Sequence, residues 1–401
     1  MSLMPVDEAL RLIIASVTKP LEAETVALSQ TAGRMLASDL SAKRSQPPFD
    51  ASAMDGYAVR AADLGAGSRL HVVGESAAGH AFAGELKAGE AIRIFTGAPV
   101  PAGADTILIQ ENADRDGDII TAKQGEPLGR FVRPSGGDFR EGDILLKAAT
   151  HLAPRHLALA ASMNHPVLPV VRQPRVALLA TGDELVQPGQ VIGPSQIVAS
   201  NSFTVAALVE ASGGKAIDLG IAGDTAAALE ASLARAQAQK ADIFVTLGGA
   251  SVGDHDLVQK VLQPKGLNLD FWKIAMRPGK PLMFGKLGDM LFLGLPGNPV
   301  SAIVCAELFL KPLIRALLGD PAAETDRTES AILGCDLSPN DERQDYLRAT
   351  LAAKDGHVVV TPFPRQDSSL VALLAQAEAL VIRTPFAPAV KAGSPCQFLR
   401  L

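Results

Sequence analysis

The fold is decided by a buried-type strand and the glycine-rich loop that follows it, residues 242–256, with the sequence DIFVTLGGASVGDHD. The apolar run 243–247 is short and ends at two glycines, which is typical of a strand inside a sheet. Gly248 and Gly253 have the spacing of a P-loop, whose glycines let the backbone approach a phosphate closely. The alternative is a tight turn in which Asp254 or Asp256 caps the next helix.

The region 173–320 around this loop alternates strand and helix signals. Strands are predicted over 175–180, 215–220, 242–247 and 290–295. Helices are predicted from Asn201 or Ser202 to Ala211, from Asp224 to about Gln239, and after Asn298-Pro299. This alternation predicts a doubly wound, mostly parallel sheet. Ligands of such sheets bind beyond the carboxyl ends of the strands. The loops 181–184, 248–256 and 296–301 are expected at that edge.

Four regions of the chain differ in composition and periodicity, so the fold class is multidomain α/β. Segments 1–45 and 142–172 form a helical linker domain, with helical periodicity over 3–40 and 150–163. Residues 46–141 are rich in turn signals and short β-like runs, which indicates a β-rich lobe inserted in that helical segment. Residues 173–320 are the doubly wound domain. Residues 321–401 are predicted to form a small C-terminal domain resembling a β-barrel.

Composition excludes several classes of function. The chain has 401 residues, a net charge of −6 and only 4% aromatic residues, which disfavours nucleic-acid binding. No apolar stretch reaches membrane-spanning length, and the N-terminus does not resemble a signal peptide. The three cysteines lie far apart without metal-site spacing. We therefore expect a reduced cytoplasmic protein that binds neither nucleic acid nor membranes.

The loop carries carboxylates where a P-loop carries Lys and Ser/Thr. A backbone that approaches a phosphate but presents carboxylates requires a cation between them, and Mg²⁺ prefers oxygen ligands. Glu184, Asp224 and Asp256 all lie at predicted strand ends, where they would form such a site if they converge. The alternative is that each acid stabilises the first turn of a helix through the helix dipole.

Positive charge for an anion follows the loop in the chain. Lys273, Arg277 and Lys280 bracket a Pro-Gly turn between apolar segments, which favours oxyanion binding over a solvated face. The segment 296–301, PGNPVS, has Asn298 as the predicted N-cap and Pro299 at the first helical position. It is a helix start that either attracts an anion or serves only as a cap.

Five motifs together resemble the MoeA family of molybdopterin molybdenumtransferases, which includes the E domain of gephyrin. They are FDASAMDGYA (49–58), TGAPVP (96–101), ATGDEL (180–185), GGASVGD (248–254) and LPGNPVS (295–301). Without the resemblance, the residues of the first two motifs indicate structural loops rather than catalytic ones. Their order and number make the resemblance specific, and it extends over most of the chain.

The resemblance implies Mg²⁺-dependent insertion of molybdate into adenylylated molybdopterin, with release of AMP. It implies a homodimer in which the partner's β-rich lobe completes the active site of the doubly wound domain. Other partners implied are the adenylyltransferase and molybdoenzyme chaperones. The catalytic residues implied are Asp55, Thr96, Glu184, Asp224 and Asp256, and the last three of these are also the implied metal ligands. The substrate-binding residues implied are Gly248, Gly249, Ser251, Gly253, Lys273, Arg277, Lys280, Pro296, Gly297, Asn298, Ser301, Arg348 and Ser368. At Arg277 some relatives have Lys.

Two other functions remain open at this point. A molybdopterin adenylyltransferase uses a similar doubly wound domain, but the four-region layout of this chain disfavours it. A non-catalytic molybdopterin-binding scaffold would need a docking surface that the sequence does not reveal. The intact carboxylate and cation sets favour catalysis.

Overall fold

The computed structural model describes residues 3–249 and 257–401, which form two units. The larger unit contains the described residues within Met1–Glu24, Gly33–Met35 and Val170–Leu401. The smaller unit contains Thr25–Ala32 and Leu36–Pro169. The boundaries of the four predicted domains stay a prediction.

The helices and strands are numbered here in chain order. The helices are α1 Val6–Ala15, α2 Pro154–Ser162, α3 Asn201–Ala211, α4 Ala226–Ala238, α5 Leu257–Leu262, α6 Pro299–Cys305, α7 Lys311–Leu317 and α8 Val371–Ala375. The strands are β1 Ala23–Ala27, β2 Leu40–Ser41, β3 Ala51–Ser52, β4 Gly56–Val59, β5 Arg69–Ser76, β6 Glu90–Ile94, β7 Thr106–Ile109, β8 Ala113–Asp116, β9 Ile119–Ala122, β10 Val132–Arg133, β11 Ile144–Leu146, β12 Val167–Val171, β13 Arg175–Thr181, β14 Leu185–Val186, β15 Ile197–Val198, β16 Lys215–Ala222, β17 Ile243–Leu247, β18 Leu267–Lys273, β19 Met276–Arg277, β20 Pro281–Leu287, β21 Met290–Leu295, β22 Thr328–Leu333, β23 Gln344–Lys354, β24 His357–Pro362, β25 Ala379–Arg383 and β26 Pro395–Arg400.

The smaller unit is built on a six-stranded sheet with the order β7-β4-β6-β5-β9-β8. Successive residues of a strand point to opposite faces of its sheet. Tyr57 and Val59 accordingly pack into one hydrophobic cluster, and Ala58 packs into a second cluster with Ile92 and Ile94. Both faces of the sheet are therefore covered, as expected for the β-rich lobe. The helix predicted over 150–163 is α2.

The helical prediction over 3–40 is wrong beyond the first helix. Helix α1 ends at Ala15, and β1 follows at Ala23–Ala27. The reason lies in Pro20, which has no N–H to donate and cannot continue a helix. Within α1, Ala9, Ile13 and Ile14 are buried, as the helical spacing predicts.

The larger unit contains the doubly wound sheet, with the strand order β16-β13-β17-β21-β20-β18. Strands β16, β13, β17 and β21 are parallel, which confirms the predicted core of the fold. Helices α4 and α5 pack on one face, against Ala177, Leu179 and Phe244. Helix α3 packs beside α6. Strand β13 lies between β16 and β17, the strands that follow it in the parallel set, so the strand order reverses there and a ligand crevice is expected at its carboxyl end.

Two antiparallel strands complete this sheet and were not predicted. Strand β20 pairs antiparallel with β21, and β18 pairs antiparallel with β20. Leu287 and Met290 are paired, so the turn between β20 and β21 is the two-residue Gly288-Asp289. Gly288 has a φ of 63°, which suits a tight hairpin turn. The Gly-Asp pair was the available sequence signal.

The C-terminal region is a closed five-stranded barrel, as predicted. Its strands pair in the order β23-β24-β22-β26-β25, and β25 pairs again with β23. The two-residue strand β19 adds to β23 in parallel and so joins the barrel to the turn at Arg277. The barrel is filled by aliphatic and aromatic side chains that include Ala349, Val360, Val381 and Phe398.

No helix in the described part of the chain is long and apolar enough to span a membrane. Cys305, Cys335 and Cys396 are all free thiols. Burial raises the pKa of the Cys305 thiol far above its ordinary value, so this side chain behaves as a neutral core residue.

An ion pair fixes the amino ends of β13 and β17. The Arg172 guanidinium donates to both carboxylate oxygens of Asp242 at 2.7 Å, and Asp242 also accepts the Arg175 N–H at 2.7 Å. The hydrogen bond from Arg172 to Asp242 raises the pKa of the guanidinium above its ordinary value. The Asp242 side chain is only 14% exposed, so solvent screens this pair weakly.

Asp242→Asn should lower the free energy of unfolding by about 2 kcal/mol, between the values for exposed and fully buried ion pairs. Chemical denaturation monitored by circular dichroism measures this loss. The matched control is Asp336→Asn, because Asp336 pairs with the 85%-exposed Lys391 and should cost less than about 1 kcal/mol. Equal losses in the two variants would contradict a special role for Asp242.

Candidate active site

A cavity of about 980 Å³ lies at the carboxyl edge of the parallel strands in the larger unit. Its walls come from the ends of β13, β17 and β21, from the turn before α4 and from the start of α6. Eight of the residues predicted to form the site line it: Glu184, Asp224, Gly248, Gly249, Pro296, Gly297, Asn298 and Ser301. The structure thus brings together motifs that are up to 117 positions apart in the chain.

Gly248 lies where three strand ends meet. Its φ is 106°, and a β-carbon there would lie 2.8 Å from the Thr181 carbonyl oxygen. Its N–H donates to the Leu295 carbonyl at 3.1 Å. A β-carbon on Gly297 would in turn lie 3.6 Å from the Gly248 Cα. The glycine is therefore required for close packing of the strand ends. The loop residues Ser251, Gly253, Asp254 and Asp256 lie outside the described residues.

Two of the three predicted metal ligands, Glu184 and Asp224, line the same cavity. Asp183 connects their loops, since its carboxylate accepts the Asp224 N–H at 3.0 Å. The N-cap of α4 is Thr225, whose hydroxyl accepts the Ala228 N–H. Asp224 is therefore not needed as a helix cap, and its carboxylate and that of Glu184 are exposed at the cavity. Carboxylate oxygens are the ligands that Mg²⁺ prefers.

A three-ligand cluster is not formed by these residues alone. Residues 3–249 and 257–401 contain no group of three His, Cys, Asp or Glu side chains arranged to hold a metal ion. Glu184 and Asp224 supply two carboxylates, and the third predicted ligand, Asp256, lies outside this part of the chain. The convergence of the three carboxylates stays a prediction.

The start of α6 is bound by a loop of the C-terminal barrel. Pro299 is at the first helical position and Asn298 at the N-cap position, as predicted, but Asn298 makes no side-chain cap. Its amide instead donates to the Ser368 hydroxyl at 2.9 Å, and the Val300 N–H donates to the Ser368 carbonyl at 3.1 Å. Ser368 therefore anchors the loop to the helix, while its neighbour Ser369 lines the cavity.

Arg348 holds this loop in place from within the barrel. Its side chain is 1% exposed, and its guanidinium donates to the carbonyl oxygens of Leu370, Asp367 and Arg365 at 3.0, 2.9 and 3.4 Å. Burial lowers the pKa of this guanidinium below its ordinary value. Arg348 does not line the cavity, so in this structure it positions the loop that does. Its direct contact with molybdate stays a prediction.

The three predicted cations are not among the residues that line the cavity. Arg277 donates to both carboxylate oxygens of Asp345 and also to Asp341 and Asn340. The hydrogen bond to Asp345 raises the pKa of the Arg277 guanidinium. Lys273 lies over the Trp272 ring, with its ammonium 5.2 Å from the ring centroid. Their roles, and that of Lys280, as oxyanion ligands stay predictions.

In the smaller unit, the predicted catalytic residues Asp55 and Thr96 are joined by hydrogen bonds. Both the N–H and the hydroxyl of Thr96 donate to Asp55 Oδ1, each at 2.8 Å. The Thr96 N–H is the main reason that the pKa of Asp55 lies below its ordinary value, followed by the Thr96 hydroxyl and the charge of Arg93. The two separate loops that carry these residues thus form one acidic group held in a single orientation.

Three regions of the chain match models of known protein families. Residues 4–164 match the MoeA N-terminal region (domain I and II), 177–316 a probable molybdopterin binding domain, and 330–401 the MoeA C-terminal region (domain IV). The chain is similar to the molybdopterin molybdenumtransferase of Haemophilus influenzae, with 37% identity over 95% of this chain and 94% of that protein. The Bacillus subtilis protein of the same name is 34% identical over 94% of this chain and 90% of its own length.

The chain belongs to the MoeA family. A crystal structure of the molybdopterin biosynthesis MoeA protein from Pyrococcus horikoshii covers 100% of this chain and 99% of its own, with a TM-score of 0.87 and 28% identity. The family and fold predicted from the five motifs are therefore confirmed, and the chain is a transferase of this family.

Four residues of this MoeA-family site were missed by sequence reasoning. Asp183 and Thr181 lie inside the ATGDEL motif, where only Glu184 was singled out. Asn201 was read as a helix cap, but Ser200 holds the N-cap position and the Asn201 amide donates to the Gly297 carbonyl at 2.7 Å. Ser369 lines the cavity beside the predicted Ser368. The motif itself was the signal for the first two; no local pattern indicated the others.

Thr96→Val should raise the pKa of Asp55 part of the way back to its ordinary value, because the hydroxyl is lost while the backbone N–H remains. The lowered pKa means that ionised Asp55 favours the folded state above the unfolded pKa, and this contribution is lost as pH falls through the folded pKa. NMR titration of the Asp55 carboxyl carbon measures the shift. Thr121→Val, which removes a hydroxyl from β9, is the control and should leave the titration unchanged. An unaltered Asp55 titration in Thr96→Val would contradict the assigned cause.

Proposed function

We propose that this chain inserts molybdate into adenylylated molybdopterin and releases AMP, with Mg²⁺ as the resident ion. The observation that carries the proposal is the 980 Å³ cavity, at which three sequence motifs and two carboxylates meet at the switch point of a parallel sheet. Its volume is in the range of sites that enclose a cofactor-sized ligand. The family membership supplies the reaction.

Glu184 and Asp224, with Asp256, are the groups we assign to Mg²⁺. When bound, the ion would neutralise negative charge that develops on the phosphate oxygens of the departing AMP. Asp183 acts behind them, since its hydrogen bond to the Asp224 N–H fixes the loop that presents the second carboxylate. This is the arrangement expected of an outer group that orients a ligand.

Gly248 and Gly249 are assigned to the phosphate of the pterin. Both have positive φ, 106° and 66°, and expose backbone rather than side chain to the cavity. Lys273 and Lys280 are assigned to the oxyanions of phosphate and molybdate. Arg277 can join them only by giving up part of its bonding to Asp345 and Asp341, so we assign it first to holding the Lys273–Lys280 turn against the barrel.

We further propose that the protein acts as a homodimer in which Asp55 and Thr96 of the partner subunit complete each cavity. Two exposed hydrogen-bond donors of Thr96 hold the Asp55 carboxylate in one orientation. Preorganisation of this kind is typical of a group that meets a substrate.

The activity is tested by incubating the protein with adenylylated molybdopterin, Mg²⁺ and molybdate, and following AMP. Glu184→Gln should lower AMP release at least about 100-fold and raise the Mg²⁺ concentration for half-maximal rate, because a charged ligand is replaced by a neutral amide. The matched control is Glu230→Gln on α4, where the carboxylate pairs with the exposed Lys265. Release that is independent of molybdate in the native protein would contradict the proposed reaction.

The shared site is tested by co-expressing Asp55→Asn and Glu184→Gln subunits with different affinity tags. Each variant alone should be inactive. Dimers that carry one subunit of each kind should regain about half of the native activity, because one of their two cavities then has intact groups from both subunits. Mixed dimers as inactive as the single variants would show that Asp55 and Glu184 do not serve the same cavity.

A further inference from the structure

Two polar atoms in residues of the cavity wall are buried without a hydrogen-bond partner. They are the Thr181 hydroxyl oxygen and the Asn201 side-chain oxygen, both unpaired among residues 3–249 and 257–401. An unpaired buried polar group destabilises the folded state. Such groups persist in native proteins where a ligand, water or ion satisfies them.

The orientation of the Asn201 amide is fixed. Its Nδ2 donates to the Gly297 carbonyl at 2.7 Å, and a carbonyl oxygen can only accept, so the atom at the other branch is Oδ1. Oδ1 is an acceptor that requires an N–H or O–H donor. Phosphate and molybdate oxygens without a proton are acceptors themselves and cannot satisfy it. Of the parts of the proposed substrate, a neutral, donor-bearing one therefore fits this acceptor better than the phosphates.

Thr181 is at the last position of β13, directly beneath the glycine turn. A β-carbon on Gly248 would lie 3.0 Å from its hydroxyl oxygen, and one on Gly249 would lie 3.2 Å away. The hydroxyl rotates freely, so it can either donate or accept. Thr246 is a useful contrast, because its hydroxyl is also buried and has no partner in the described part of the chain, but it does not line the cavity.

We infer that Asn201 and Thr181 recognise the N–H edge of a nitrogen heterocycle in the substrate, with Asn201 Oδ1 accepting a ring or amino N–H and the Thr181 hydroxyl pairing with a neighbouring ring atom. This inference rests on the proposed function for the identity of the ligand. Adenylylated molybdopterin has two such edges, one on the pterin and one on the adenine. Both are flat and neutral and carry at least one N–H donor, unlike the phosphates.

The test compares Thr181→Val with Thr246→Val, which remove the same hydroxyl from neighbouring strands. Thr181→Val should lower kcat/KM for AMP release about tenfold, mainly through a higher KM, while Thr246→Val should leave KM unchanged. Asn201→Leu should have an effect at least as large as Thr181→Val. Thermal unfolding of all three variants separates a loss of substrate contact from a loss of stability, because a purely structural role would move the melting temperature and not KM.

Equilibrium dialysis with molybdopterin alone and with AMP alone identifies which heterocycle, the pterin or the adenine, Asn201 and Thr181 recognise. A loss of molybdopterin affinity in Thr181→Val and Asn201→Leu supports recognition of the pterin, and a loss of AMP affinity supports recognition of the adenine. Equal behaviour of Thr181→Val and Thr246→Val, or affinities unchanged for both ligands, overturns the inference. A native protein that binds molybdopterin but releases no AMP would contradict the proposed reaction and leave this binding test intact.

Discussion

The site depends on the close approach of three strand ends around Gly248. A side chain at this position would collide with the Thr181 carbonyl, and the positive φ would strain any residue other than glycine. The Gly248 N–H is used to join β17 to the end of β21 at Leu295. Because the strand ends are this close, the ATGDEL motif, the glycine turn and the PGNPVS segment share one cavity.

The C-terminal barrel takes part in this site through a single buried guanidinium. Arg348 has carbonyl oxygens rather than a carboxylate as its hydrogen-bond partners, and burial lowers its pKa although the charge of Asp367 acts in the opposite direction. A planar group with several donors can bind three carbonyls at once, which Lys could not do in the same geometry. The loop that it holds places Ser368 on the start of α6 and Ser369 in the cavity wall.

The charges in the sequence did not reveal which groups each predicted site residue is bonded to. Asp55 and Thr96 were selected through a family resemblance, and the structure joins them by two hydrogen bonds. Arg277 was selected as an oxyanion ligand for its charge, yet its guanidinium is bonded to Asp345, Asp341 and Asn340, which lie more than 60 positions later. Sequence proximity to a predicted site does not reveal such distant partners, since ion pairs form between residues that only the fold brings together.

The sequence by itself determined the parallel sheet, the barrel-like C-terminal domain and the family, because strand periodicity, glycine turns and motif order are local properties of the chain. It did not determine the antiparallel strands β18 and β20, or the end of α1 at Ala15. Only the tertiary structure decided that Asn298 bonds Ser368 instead of capping α6, that Arg348 holds a loop, and that Thr181 and Asn201 carry unpaired atoms in residues of the cavity wall. Each of these depends on which distant backbone group lies within hydrogen-bond reach, and no local pattern of residues encodes that distance.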